Sequence, residues 1–144
     1  MKCSGNLDPV LIEDRFIDYP WFPKLRLNFA ENLLMKGKDK DIALNFVHES
    51  GLRKSLTYKD LRFKVASFHD ELKSYFSEGD VLAAYMPNCN ETVISMLAAS
   101  SLGGVFTSTS CDFGVSGVVD RFGQSKPKVL VAASSYKYLS LIHI

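Results

Sequence analysis

Apolar residues recur through the middle of the chain at two spacings, which predict alternating helices and strands. After Thr57 they return every three or four residues, which marks one face of a helix; they are Leu61, Val65, Phe68, Leu72 and Phe76. Thr57 followed three residues later by Asp60 resembles a capping box, which places the helix start there. "VLAAYM", Val81 to Met86, is instead a continuous apolar run of strand length, which is typical of a strand covered on both faces.

The flanking segments extend this alternation in both directions. "IALNFV", Ile42 to Val47, predicts an earlier strand, and "ESGLRKS" predicts a turn in which Gly51 suits a positive φ. "ETVISMLAASSLGG" predicts a helix that stops at Gly103 and Gly104. Strands are then predicted over "VFTSTS" and "KVLVAA". Between them lies the helix "VSGVVDRFGQS", whose apolar face is formed by Val115, Val118, Val119 and Phe122. The order strand, helix, strand, helix, strand, helix, strand with short connections predicts an α/β fold built on a doubly wound parallel sheet.

The first 40 residues differ from this pattern. Pro20 and Pro23 stand among aromatic residues in "YPWFPKLRLNFAENLL", and Pro23 disfavours a helical conformation at Phe22. "LNFAENLLMK" then predicts a short helix with Asn28 as its N-cap. We expect residues 1–40 to form an N-terminal leader that packs on the α/β domain.

Composition excludes several classes of protein. The formal net charge of +1 over 144 residues gives no reason to expect nucleic acid or an anionic membrane as a partner. No apolar run approaches the roughly 20 residues needed to span a bilayer, and the start of the chain lacks the apolar core of a signal peptide. Cys3, Cys89 and Cys111 match neither a zinc site nor a disulfide framework. These features predict a cytosolic protein with reduced thiols.

The segment most suggestive of a site is "TSTSCDFG", at the end of a predicted strand. Open α/β sheets bind ligands beyond the carboxyl ends of their strands, so we expect a pocket edge near Ser110 to Gly114. The Ser and Thr hydroxyls have a simpler alternative role, which is to bond backbone groups where the strand ends. From the residues alone, this segment identifies a pocket edge but no chemistry.

Short motifs of other enzyme classes lack their partners. "DFG", Asp112 to Gly114, occurs in the magnesium site of protein kinases, but the Gly-rich loop, the strand lysine and the H-R-D loop are absent. "SSYK", Ser134 to Lys137, fits S-x-x-K without S-D-N or K-T-G. Neither G-x-G-x-x-G nor a Walker loop is present.

The three histidines form no ligand pair, and we expect Arg62 and Lys64 to lie on a solvated face.

Four stretches in order resemble the adenylate-forming acyl-CoA synthetases. They are "WFPKLRLNFAENLL", "LTYKDL", "GDVLAAYMPNCNETVISMLAASSLGGVFTSTS" and "TSTSCDFGVSGVVDRFGQSKPKVLV". The last is similar to the branch that acts on acetoacetate, although Cys111 stands where that branch usually has proline. The resemblance covers roughly Trp21 to Tyr138. It implies that residues 41–138 are the first part of an AMP-binding domain, and that the apolar ending in residues 139–144 departs from the family pattern, as expected of a non-native tail.

The resemblance also implies a two-step reaction. A short-chain keto acid attacks the α-phosphate of ATP to give an acyl-adenylate and pyrophosphate, and the CoA thiol then attacks the acyl carbon. ATP, CoA and Mg²⁺ are implied for a full-length enzyme, whose phosphate loop and lysine would lie in later parts of the chain. By the same resemblance Ser110, Cys111 and Asp112 line the CoA pocket. No catalytic residue and no metal ligand is expected within these 144 residues, which we expect to be inactive and to bind none of these ligands well alone.

Two other functions remain open at this point. One is a small α/β nucleotide-binding module, and the other is a short non-enzymatic interaction module. The oligomeric state is not indicated by the sequence.

Overall fold

A computed structural model describes residues 1–11, 21–138 and 141–143. Its elements in chain order are β1 (Ser4–Gly5), β2 (Leu25–Arg26), α1 (Phe29–Leu34), β3 (Ile42–Val47), β4 (Arg53–Thr57), α2 (Tyr58–Leu72), β5 (Val81–Tyr85), α3 (Asn90–Ser101), β6 (Val105–Thr109), α4 (Val115–Ser125), β7 (Val129–Ala132), β8 (Tyr136–Tyr138) and β9 (Leu141–His143). Pro20 and residues 139, 140 and 144 of the expected tail lie outside the described residues.

A parallel sheet of three strands in the order β6-β5-β7 confirms the predicted fold class. The chain passes from β5 through α3 to β6, and then through α4 across β5 to β7. The connection from β5 to β6 and the connection from β6 to β7 run in opposite directions across the sheet. Because parallel crossovers are right-handed, α3 and α4 therefore lie on opposite faces of the sheet. The sheet is therefore wound on both sides.

The hydrophobic core lies between one face of this sheet and the helices α1, α2 and α3. Leu82 of β5 and Leu97 of α3 are fully buried, and Val129 and Val131 of β7 pack against the same cluster. The α2 residues predicted from helical spacing are buried here too, with Phe68 partly buried at the margin. The capping box of Thr57 and Asp60 is present as predicted.

The first predicted strand does not join the parallel sheet. Within the described residues, β3 pairs antiparallel with β4 as a separate hairpin. The segment "ESGLRKS", expected to be a turn, is a turn only over its first half, where Gly51 has the predicted positive φ of 82°. Arg53, Lys54 and Ser55 then form an exposed strand, whose polar surface made it look like a loop.

The fourth helix begins and ends where the sequence predicts, but most of its apolar face is exposed. Phe122 is buried, whereas Val115 is 81% and Val119 is 65% exposed. On the sheet face opposite the core, Val105 and Leu130 are more than half exposed. The expectation that Val81 to Met86 form a strand covered on both faces holds for β5, whereas β6 and β7 are each partly exposed.

Residues near the N-terminus are tied to the domain by side-chain hydrogen bonds. The Asn28 carboxamide oxygen accepts from the Glu31 backbone N–H at 3.0 Å, as the predicted N-cap of α1. Its amide nitrogen donates to the Ser100 carbonyl at 2.9 Å, near the end of α3.

Arg62 of α2 also bonds residues near the N-terminus. We expected it to lie on a solvated face, and the structure shows it half-buried instead. Its guanidinium donates to the Leu34 carbonyl and the Asp39 carboxylate, at 2.6 Å each. It also lies 5.6 Å from the ring centroid of Tyr58. Because its hydrogen-bond partners Leu34 and Asp39 lie outside α2, the helical pattern alone could not reveal them.

Candidate functional site

The expected pocket edge lies at the carboxyl end of the parallel sheet. Tyr85 and Thr109 are paired at the last position of the neighbouring strands β5 and β6. The five residues Ser110–Gly114, which we call the β6–α4 loop, follow directly and lead into α4. Within it, Ser110 and Asp112 are exposed, whereas Cys111 is only 7% exposed. The loop thus presents Ser110 and Asp112 outward and turns its thiol inward.

Two tyrosine hydroxyls hold the backbone of this loop. The Tyr85 hydroxyl lies 2.8 Å from the Cys111 carbonyl oxygen and 2.9 Å from that of Phe113, so its proton is shared between two acceptors. The Tyr136 hydroxyl donates to the Cys111 carbonyl at 2.9 Å. The Cys111 carbonyl therefore accepts from side chains of two different strands, β5 and β8.

The side chain of Phe113 connects the loop to the helix that follows. The Arg121 guanidinium carbon lies 5.1 Å from the centre of the Phe113 ring, within the range of a cation–π contact. Gly114 is the N-cap of α4 in extended conformation and makes no side-chain hydrogen bond there. The loop is consequently held by Tyr85 of β5, Tyr136 of β8 and Arg121 of α4.

Burial controls the chemistry of the Cys111 thiol. Burial raises its pKa, and the nearby Cys89 and Asp112 raise it further. Because the thiolate is the reactive form of cysteine, Cys111 is protonated near neutral pH. It suits a packing role rather than that of a nucleophile.

Thr109 contradicts the alternative role suggested for the strand-end hydroxyls. Its side-chain oxygen is buried and has no hydrogen-bond partner among the described residues. The expectation that this hydroxyl bonds a backbone group is therefore wrong. A buried unpaired hydroxyl costs about 1–3 kcal/mol, and we have no physical account of its placement.

A cavity of about 360 Å³ opens at the same edge of the sheet. Pro87, Asn88 and Cys89, which follow β5, line one side. The β3–β4 hairpin lines another, and Ser135, Tyr136 and Lys137 line a third. Cavities of about 940 and 480 Å³ lie beside α1, away from the strand ends. We favour the cavity of about 360 Å³ as the ligand site, because open α/β sheets bind ligands at their carboxyl edge. Tyr136, which lines this cavity, also bonds the β6–α4 loop.

Among the described residues, no group of three or more His, Cys, Asp or Glu side chains is placed to hold a metal ion. The His69 ring nitrogen Nδ1 instead bonds the Ser101 hydroxyl at 2.7 Å, and His48 Nδ1 bonds the Ser50 hydroxyl at 2.8 Å. The side chain of His143 lies outside the described residues.

None of the helices within the described ranges has both the length and the apolar character required to cross a bilayer.

Residues 34–142 match the model of the family described as AMP-binding enzyme, so the chain belongs to this family. Among curated proteins it is similar to an acetoacetyl-coenzyme A synthetase of Rhizobium meliloti, with 44% identity over 87% of this chain and 19% of that protein. It is also similar to an acetoacetyl-CoA synthetase of Xenopus tropicalis, with 42% identity over 94% of this chain and 21% of that protein.

Solved structures agree with this assignment. An acetoacetyl-CoA synthetase from Streptomyces lividans superposes with a TM-score of 0.94 and 34% identity, over 99% of this chain and 22% of that one. A Brucella canis acyl-CoA synthetase gives a TM-score of 0.66 and 28% identity over 74% of this chain and 20% of that one. The chain spans about a fifth of the length of the relatives it matches.

Sequence reasoning located the β6–α4 loop but missed the residues that hold it. Tyr85 and Tyr136 lie 26 and 25 positions from Cys111. Tyr85 could have been found, because parallel pairing places the end of one strand beside the end of the next. Tyr136 could not, since it lies on a short strand beyond the last predicted one.

Proposed function

We propose that these 144 residues are the first part of an AMP-forming acid–CoA ligase that activates acetoacetate. The observation that supports this most strongly is the superposition of nearly the whole chain on a solved acetoacetyl-CoA synthetase. Curated relatives of the same name at 39–44% identity support the same substrate. Their coverage of about a fifth supports the interpretation as a segment of a longer enzyme.

The proposed reaction has two balanced steps. A carboxylate oxygen of acetoacetate attacks the α-phosphorus of ATP, and pyrophosphate leaves as the acyl-adenylate forms. The CoA sulfur then attacks the acyl carbon, the thiol loses its proton, and AMP leaves. Magnesium would offset the phosphate charge in the first step. We assign magnesium and the catalytic groups to later parts of the enzyme, where the resemblance to acyl-CoA synthetases implies the phosphate loop and the lysine.

We propose that the β6–α4 loop forms one wall of the CoA pocket. Ser110 and Asp112 are exposed at the carboxyl edge of the sheet and can face a ligand. The inward thiol of Cys111 limits that residue to a backbone contribution. We further propose residues 1–40 as a leader packed on the domain, residues 41–138 as the start of the AMP-binding domain, and the cytosol as the site of action.

The direct test is product analysis with the longer protein that contains this segment. We expect ATP, CoA, magnesium and acetoacetate to yield acetoacetyl-CoA, AMP and pyrophosphate in equal amounts. Acetate should be a poorer acid at matched concentration. Formation of ADP, or equal use of both acids, would contradict the proposal, and the 144-residue chain alone should form no thioester.

A further inference from the structure

The β6–α4 loop has no regular secondary structure over Ser110–Gly114, yet its carbonyls are held from two directions. Within the loop backbone, the Phe113 N–H bonds the Ser110 carbonyl at 3.3 Å. The Cys111 and Phe113 carbonyls accept instead from hydroxyl groups of tyrosines distant in sequence. Such bonds fix a loop because an unpaired buried carbonyl is costly.

The two tyrosines differ in what else they contact. Tyr85 ends the central strand β5, which is the most buried strand of the sheet. Tyr136 begins β8 and also lines the cavity of about 360 Å³ at the strand ends. Tyr85 therefore fixes the loop to the core, and Tyr136 links it to the cavity wall.

We propose that Tyr85 and Tyr136 are positioning residues that hold the β6–α4 loop in the conformation needed to bind CoA. Their hydroxyl groups fix the Cys111 carbonyl, which turns the thiol inward and leaves Ser110 and Asp112 outward. This inference rests on the proposed function, since it assigns the loop to the coenzyme site. Neither tyrosine needs to touch the acid, the adenylate or the reacting sulfur.

The test replaces each hydroxyl with hydrogen in the longer protein, as Tyr85→Phe and Tyr136→Phe. Tyr75→Phe is the matched control, because Tyr75 is 47% exposed and no hydrogen bond of its hydroxyl group is found within the described ranges. The first readout is the rate at which N-ethylmaleimide modifies Cys111, resolved by peptide mass spectrometry. Exposed Cys3 in the same molecule reports the intrinsic reagent rate.

We expect about a fivefold faster modification of Cys111 in Tyr85→Phe, since one hydrogen bond contributes about this factor. The KM for CoA should rise by a similar factor, while acid-dependent exchange of pyrophosphate into ATP, which needs no CoA, stays unchanged. Tyr136→Phe should likewise speed the modification of Cys111 and raise the KM for CoA, and the exchange comparison is made with Tyr85→Phe because Tyr136 also lines the candidate ligand cavity. Tyr75→Phe should change none of these quantities.

Two results would overturn the proposal. One is an unchanged Cys111 rate in both tyrosine variants, which would show that the hydroxyls do not hold the loop. The other is faster modification with an unchanged KM for CoA, which would show that the loop does not serve CoA. Absence of pyrophosphate exchange in the unmodified protein would instead contradict the proposed function, and the modification rates would still decide whether the tyrosines fix the loop.

Discussion

Asp80 illustrates how single residues outside the candidate site join distant parts of the sheet. Its carboxylate accepts from Lys128 Nζ at 2.7 Å and from the Ser77 backbone N–H at 2.7 Å. The hydrogen bond from Lys128 and then that from Ser77 hold the pKa of Asp80 below its ordinary value of 3.8. The pair connects the start of β5 to the residue before β7.

Acidification should therefore weaken this link. A carboxyl group whose pKa is lowered by folding contributes stability above the unfolded pKa, and loses it as the pH falls through 3.8 and below. We expect Asp80→Asn to lower the urea midpoint at pH 7 but to reduce its further decline between pH 5 and pH 3. The measurement is urea denaturation followed by circular dichroism at several pH values.

Asp112→Asn provides the control, since Asp112 is exposed and no ion pair with it is described. It should leave both the midpoint at pH 7 and its acid dependence close to those of the unmodified chain. An Asp80→Asn curve parallel to that of the unmodified chain would show that the ion pair does not contribute to stability.

At the scale of elements, local sequence signals predicted the helices, whereas strand pairing and the bonds to the β6–α4 loop depend on residues far apart in the chain. The capping box at Thr57, the Asn28 N-cap and the stop at Gly103 all depend on residues within a few positions, and all three occur as predicted. The pairing of β3 with β4 depends on which polar strand lies opposite, and spacing carries no such information. The hydrogen bonds from Tyr85 and Tyr136 to the β6–α4 loop likewise come from strands distant in sequence.

Gly104 determines how α3 connects to β6. A Cβ atom at this position would lie 2.2 Å from the buried Phe76 ring and 3.0 Å from the Asp80 carbonyl oxygen. Because neither the ring nor the backbone can move freely, Gly104→Ala should lower the free energy of unfolding by about 1–3 kcal/mol. Chemical denaturation of the purified variants measures this change.

Gly123→Ala is the matched control within α4. A Cβ at Gly123 would meet no atom within 4 Å, and alanine favours a helix over glycine by about 0.5–1 kcal/mol. This variant should be neutral or more stable. Equal effects of the two substitutions would show that the close approach to Phe76 does not govern the connection.

At the scale of the whole molecule, one side of the sheet is a core and the other is largely open. Val105, Val119 and Leu130 are all more than half exposed, on the side of α4. Exposed apolar surface of this kind, beside unpaired sheet edges, promotes association. We expect the 144-residue chain to be poorly soluble alone.

Charged substitutions on the open side should reverse this behaviour. We expect Leu130→Lys combined with Val119→Lys to raise the soluble fraction of the 144-residue chain severalfold, as measured by centrifugation and light scattering. The control is Phe63→Lys, which removes a side chain 73% exposed on α2. A similar gain from the control would indicate that net charge, rather than the open side, governs solubility.

Adenylate formation is the step that distinguishes an AMP-forming acid–CoA ligase from the other functions considered for this chain. The measurement is exchange of labelled pyrophosphate into ATP by the longer protein, with magnesium and without CoA. We expect exchange that requires acetoacetate and is much weaker with acetate. Exchange that is absent, or that proceeds equally without an acid, would contradict it.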